Sequence, residues 1–169
     1  MGRIMPSVEH IESSRTNPLE VVERMALNHS WSFERANQDE LIIMVRGRWS
    51  DQQVSFIWIY DIEALHLACA FEFRVPPHCR PEVLKLISLI NERMWVGHFD
   101  FWVQENLVMY RHALVLPGGV TPSNGQCEVM LNTALDACER YFPAFQFVVW
   151  AGNTAEDALN ATVTETAPE

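Results

Sequence analysis

Positive charge is what this sequence has least of: 12 Lys and Arg stand against 22 Asp and Glu, a net charge of −10 over 169 residues. A protein that grips nucleic acid displaces phosphate counterions with a basic stripe, and no surplus of cations exists here to form one. An anionic membrane surface is disfavoured for the same reason. No apolar run reaches the length of a membrane span, and no apolar h-region marks the first twenty residues. Cysteine is scarce and scattered: Cys69, Cys79, Cys127 and Cys138 show no C-x-x-C spacing, so no zinc or dithiol motif is signalled. The expectation is a cytoplasmic protein with reduced thiols. Neither Gly47 nor Gly118-Gly119 belongs to a P-loop or dinucleotide fingerprint, and no cofactor is expected.

What is present is apolar mass. Nearly half of the chain is hydrophobic, with six Trp and nine Phe, enough for one core without disulfide or metal staples. Residues 1–16 lack a sustained period and read as an N-terminal arm. The domain is expected over 17–152, and the Thr-rich, acidic 153–169 reads as a C-terminal tail in which Thr154 to Asp157 caps at most one short turn. Asn17-Pro18-Leu19-Glu20 combines an Asn cap with Pro at the first helical position, opening a helix to about His29. From Trp31 the period changes to two, giving strands near 31–35, 40–49, 53–60 and 65–74 with connections short enough to force an antiparallel meander. The third run, Val54 to Tyr60, is apolar on nearly every residue, which predicts a central strand covered on both faces. Leu65, Leu67, Cys69, Phe71 and Phe73 of the fourth should face helices. Arg80-Pro81-Glu82 starts a second helix whose stripe includes Leu84 and Trp95 and which Gly97 stops. Thr121-Pro122 caps a third, which Pro143 should kink or restart.

Between the last two helices lies a two-faced hairpin, Trp95 to Gly119. With Glu105-Asn106 as the turn, Phe99, Phe101 and Val103 oppose His112, Tyr110 and Val108, while Asp100 faces Arg111 and Trp102 faces Met109. One face is greasy, and the other carries an ion pair.

The residues Asn91-Glu92-Arg93, Gly97-His98-Phe99-Asp100, Tyr110-Arg111-His112, Cys138-Glu139-Arg140-Tyr141, Pro143-Ala144-Phe145-Gln146 and Trp150-Ala151-Gly152 resemble the YbjN-domain family as it occurs in alphaproteobacteria. The similarity spans roughly 17–152. That resemblance implies a fold like that of type III secretion chaperones and a label as sensory-transduction regulators, and it brings no catalytic residues with it.

Three chemical possibilities arise from the residues themselves. His98 and Asp100 share a strand face and, with His112, suggest a metal or general-base site. However, the register sends His112 to the other face and gives Asp100 to Arg111, so a structural role and no metal is the expectation. Cys79 has His78, Arg80 and a helix start beside it, yet no third group orients a base, and the plain reading is a loop thiol; Cys127 and Cys138 fall on a core stripe. The third possibility is excess apolar surface. Tyr141 to Trp150 is too greasy for a helix that buries one face, so either other helices cover it or a partner does. Trp102, Met109 and Arg111 on the hairpin, with Phe145 and Trp150 on the helix, are the candidate partner-binding residues, because Trp and Arg anchor interfaces and Met adapts.

The fold class is therefore α+β: a four-stranded antiparallel meander plus a hairpin, helices mainly on one face, secretion-chaperone-like by resemblance. The expected function is non-catalytic protein binding by a small regulatory or chaperone-like adaptor, with a protein partner, possible homodimer formation, and neither nucleic acid nor membrane. Two alternatives stand beside it: a small-molecule sensor with a pocket between helices and sheet, and an enzyme using His98/Asp100 or Cys79. An antiparallel sheet with one open side is expected to offer a broad surface and no concave pocket.

Overall fold

The computed structural model describes residues 17–165; the expected N-terminal arm, 1–16, and the last four residues lie outside the described residues. Helix α1 (Leu19–Asn28) precedes strands β1 (Ser32–Asn37), β2 (Glu40–Arg46), β3 (Asp51–Ile59) and β4 (Ala64–Ala70). Helix α2 (Arg80–Asn91), strands β5 (His98–Trp102) and β6 (Leu107–Val115), and helices α3 (Asn124–Ala151) and α4 (Ala155–Glu165) follow. The fold is α+β, and the six strands form one antiparallel sheet in the order β1-β2-β3-β4-β6-β5. Helix α2 carries the chain past β4 to the far edge, and β6 then returns to pair with β4, which leaves β5 outermost.

One face of the sheet is the core. The row Ile43, Val54, Cys69, Tyr110 and Phe99 crosses five strands in register, and each member is at least 99% buried. Large apolar side chains alternate in β4 as the period of two requires, so Leu65, Leu67 and Cys69 turn inward, on the face that α3 packs against. Fully burying each such side chain contributes about 1.5–3 kcal/mol. The Asn17 side chain accepts a hydrogen bond from the Leu19 amide at 3.0 Å, the cap that the Asn-Pro start predicts.

Several expectations need correction. Covered on its inner side only, β3 has Phe56 buried but Ser55 and Ile57 half-exposed, because none of the described helices lies on the outer face. Helix α2 ends at Asn91, six residues before its expected glycine, and leaves Trp95 99% exposed; Leu84, within the helix, faces outward and is exposed. Gly97 instead adopts φ +67° at the entrance to β5, where a Cβ would come within 2.0 Å of the Tyr110 hydroxyl. Ser123, not Thr121, caps α3 in a capping box with Gln126. Helix α3 continues through Pro143 as one 28-residue element. The expected tail contains α4, whose Ala155, Ala158, Leu159 and Thr162 are buried against α2 and α3, so packing extends beyond residue 152.

The hairpin register also differs, by two residues. Phe99 pairs with Tyr110, Asp100 with Met109, and His98 with Arg111. The loop is four residues, Val103 to Asn106, because the segment after β4 holds it open. Val75 donates its amide to the Asn106 carbonyl at 2.8 Å, and Arg74 donates to the Glu105 carbonyl at 2.9 Å. A shift of two preserves the faces, so the side chains that remain paired keep their predicted sides, whereas Val103, expected opposite Val108, falls in the loop and is exposed.

Candidate functional site

Among the described residues the sheet's outer face is uncovered, and it is concave. Its residues follow from the same alternation that builds the core: the row Glu34, Ile42, Ser55, Ala68, Arg111 and His98 crosses all six strands. At the middle of the sheet the small side chains Ser55, Ala68 and Ala70 lie side by side and form a low floor. Ile42 and Ile57 rise on one flank, Met109 and Trp102 on the other, and together they enclose a depression of ≈ 740 Å³. Trp102 is 45% exposed beside the half-buried Met109. The expectation of a flat surface is thus corrected, for reasons of side-chain size.

Arg111 is held from two sides. Its Nη1 donates to Asp100 Oδ2 at 2.9 Å and its Nε donates to His66 Nε2 at 3.2 Å. Guanidinium cannot accept, so the lone pair is on His66 Nε2 and that ring is neutral. Burial pushes the His66 pKa below its ordinary value, and the charge of Arg111 and then those of His98 and His112 push it further. Partial burial alone would raise the Asp100 pKa, but hydrogen bonds from Arg111 and the Phe101 amide, with the Arg111 charge, hold it below the usual carboxylate range. The predicted Asp100–Arg111 pair is present, diagonal across the strands and half-exposed. A pair this exposed contributes less than about 1 kcal/mol and serves to position the guanidinium.

The other predicted residues fall elsewhere. His112 points to the core face beside Leu67, away from Asp100, and burial followed by the His98 charge lowers its pKa. Among the described residues no three His, Cys, Asp or Glu side chains converge as a metal site requires. Cys79 is buried, its thiol 3.8 Å from the Val149 carbonyl, and no loop exposes it. Cys127 and Cys138 are core residues, and burial pushes the Cys127 thiol up to about 11. Phe145 is 0% exposed, with ring centroids 5.5 Å from Phe71 and Phe99, so no partner can reach it. Its surroundings, Tyr141, Phe142, Ala144 and Val148, are also buried, which accounts within the monomer for most of the greasy run. Trp150 alone of that run stands out, 63% exposed at the end of α3 and edge-on to Phe73. The candidate surface therefore reduces to Trp102, Met109 and Arg111, with Trp150 apart from it.

Ile42, Ser55, Ile57, His66, Ala68 and Ala70 were not among the residues singled out from the sequence. The signal was present in the alternation of β4, where every second residue from Ala64 is small or polar; the greasy β3 obscured it by suggesting two covered faces. The sequence pattern likewise sets Trp95 on a buried stripe, whereas it is exposed. Its loop is fixed by the Tyr110 hydroxyl, which donates to the Val96 carbonyl at 3.2 Å and whose pKa burial pushes up to about 12.

Comparison with known proteins agrees with this architecture. No curated protein matches the sequence. Among solved structures, the crystal structure of YbjN from E. coli, described as "a putative transcription regulator", superposes with a TM-score of 0.53 at 10% identity, covering 87% of this chain and 93% of that one. That likeness establishes a common fold. The profile of the YbjN family, described as "Putative bacterial sensory transduction regulator", matches residues 18–147, the span that holds the sheet, α1, α2 and most of α3, and the chain belongs to that family.

Proposed function

We propose that this protein is a non-catalytic binding module, a regulatory or chaperone-like adaptor that docks a protein partner on the open face of its sheet. The observation that carries the proposal is that α1, α2 and α3 all lie on one face while the other, with Trp102, Met109 and a braced Arg111, is concave and left uncovered by the described residues. Contiguous apolar concavities bordered by fixed polar groups are where soluble domains bind. Supporting a binding role over chemistry, Asp100 is committed to Arg111 and the Phe101 amide, and the Cys79 thiol is buried. Work in the cytoplasm is part of the same proposal; none of the described helices is long and apolar enough to cross a membrane.

The test replaces Trp102 with Ala and Met109 with Lys, establishes by circular dichroism and melting that folding survives, and compares capture from a native lysate with that of the unaltered protein. Loss of partners that the unaltered chain retains is the expected result. A folded double variant that keeps all of them removes this face and leaves Trp150 as the candidate. A second reading, a small-molecule sensor, is favoured by one observation: ≈ 740 Å³ lies within the size range of ligand pockets. Its site would be this outer depression, since the space between helices and sheet is filled by core side chains.

A further inference from the structure

The open face carries information about the chemistry of its occupant, and the inference drawn here rests on the docking reading above. Two arginines border the depression, and both are already neutralised: Arg111 by Asp100 at 2.9 Å and Arg74 by Glu105 at 3.2 Å. Two carboxylates border it, and among the described residues neither forms an ion pair. Glu40 accepts hydrogen bonds only from neutral donors, Ser55 Oγ at 2.8 Å and Asn37 Nδ2 at 3.4 Å, and Glu72 is exposed and unpaired among the described residues. His66 adds no charge, since it accepts from Arg111. The unsatisfied charge around an apolar floor is therefore negative, on a chain that is itself at −10.

The backbone geometry limits the form of the occupant. A peptide that added as a strand next to the depression would need the free edge of β5, and that edge is taken. The Asn91 side chain donates to the Phe99 carbonyl at 2.9 Å and accepts from the Phe99 amide at 2.8 Å, while the Phe101 amide donates to the Asp100 carboxylate at 2.8 Å. An occupant lying on the face itself finds side chains and no backbone partners, so it must satisfy its own backbone, as a helix does. From Glu40 on β2 to Trp102 on β5 the depression crosses four strand intervals, about 19 Å at the usual ~4.8 Å spacing. That span corresponds to about 13 residues of helix, between three and four turns. We infer that the open face receives a basic amphipathic helix of a partner protein, with its apolar stripe on Ala68, Ala70, Ile57 and Met109 and its flanking Lys or Arg side chains paired with Glu40 and Glu72.

The experiment measures binding of three labelled synthetic 14-residue helical peptides to the full chain by fluorescence anisotropy. All share one leucine and alanine face, and they are flanked by lysine, by glutamine or by glutamate. The lysine peptide should bind best, and the Glu40→Gln/Glu72→Gln variant should weaken it about tenfold or more. An Asp61→Asn/Glu92→Gln variant, with the same change in net charge outside the depression, should leave its affinity within about twofold. Equal weakening by both variants would mean general attraction to an acidic chain and would overturn the inference. If the glutamine or glutamate peptide binds as well as the lysine one and still competes with captured partners, the basic character is wrong while the docking face stands. If no peptide binds, the helical occupant is wrong, and the capture experiment with Trp102 and Met109 replaced decides the docking reading separately.

Discussion

Pro143 shows how one residue's deficit is met by a distant one. Lacking an amide hydrogen, it cannot bond the Glu139 carbonyl one turn back in α3. That carbonyl instead accepts the Trp49 indole N–H at 3.2 Å, and the Glu139 carboxylate accepts the Arg48 amide at 2.7 Å and the Gln52 side-chain amide at 2.8 Å. The turn between β2 and β3 is thereby latched to the helix, and Gly47 is required because a Cβ there would meet the Ser50 carbonyl at 2.4 Å. The latch predicts coupling. Trp49→Phe should cost about 1 kcal/mol, the ordinary net worth of such a hydrogen bond, and less in a Pro143→Ala background, where the restored amide supplies the carbonyl with a partner. Chemical denaturation of the two single variants and the double variant measures this; strictly additive effects would show that the indole does not serve the proline's orphan.

At the scale of elements, α4 is the clearest case of structure that the sequence contained and a compositional reading overlooked. Ala155, Ala158, Leu159 and Thr162 fall at i, i+3, i+4 and i+7, a helical stripe. The residues are small, and their Thr-rich, acidic setting suggests a solvated tail. Packing decides otherwise: the Glu82 carboxylate accepts the Ala155 amide at 2.8 Å, capping the helix from α2, and Lys85 pairs with Glu156 at 2.6 Å. A chain ended at Gly152 should therefore melt well below the full chain, and Leu159→Ala alone should cost about 2–3 kcal/mol, both readable by thermal denaturation; an unchanged melting temperature for the shortened chain would make α4 an ornament. The period-two strands, the inward faces and the sidedness of the hairpin were legible because each depends on local alternation. Register was not, since the loop length is set by Arg74 and Val75, some thirty residues away in sequence. The concavity of the candidate site was also hidden, because it arises from the lateral alignment of Ser55, Ala68 and Ala70 across neighbouring strands, a relation that no single strand displays.

For the whole molecule, the pH dependence of stability sets two opposing effects against each other. At pH 7 the chain carries −10 with a sequence pI near 5.0, so acidification towards pH 5.5 relieves general repulsion and favours the compact state. His66 and His112 oppose this. Both have folded pKa values below the ordinary 6.5, mainly through burial. Above that pH neither state binds the proton and the two rings make no difference. As pH falls through 6.5 the unfolded chain takes up protons that the folded one resists, and stability drops. Protonating His66 also removes the lone pair that accepts the Arg111 Nε–H. Asp100 acts in a separate window, since its lowered folded pKa keeps its contribution until well below the range where histidine titrates. The His66→Gln/His112→Gln variant keeps polar side chains, and an acceptor for Arg111, without the titration. Between pH 7.5 and 5.5 its melting temperature should rise more, or fall less, than that of the unaltered chain. Parallel shifts for the two proteins would show that neither ring is held neutral by the fold, and with that the picture of a guanidinium braced between a carboxylate and a neutral imidazole would fail.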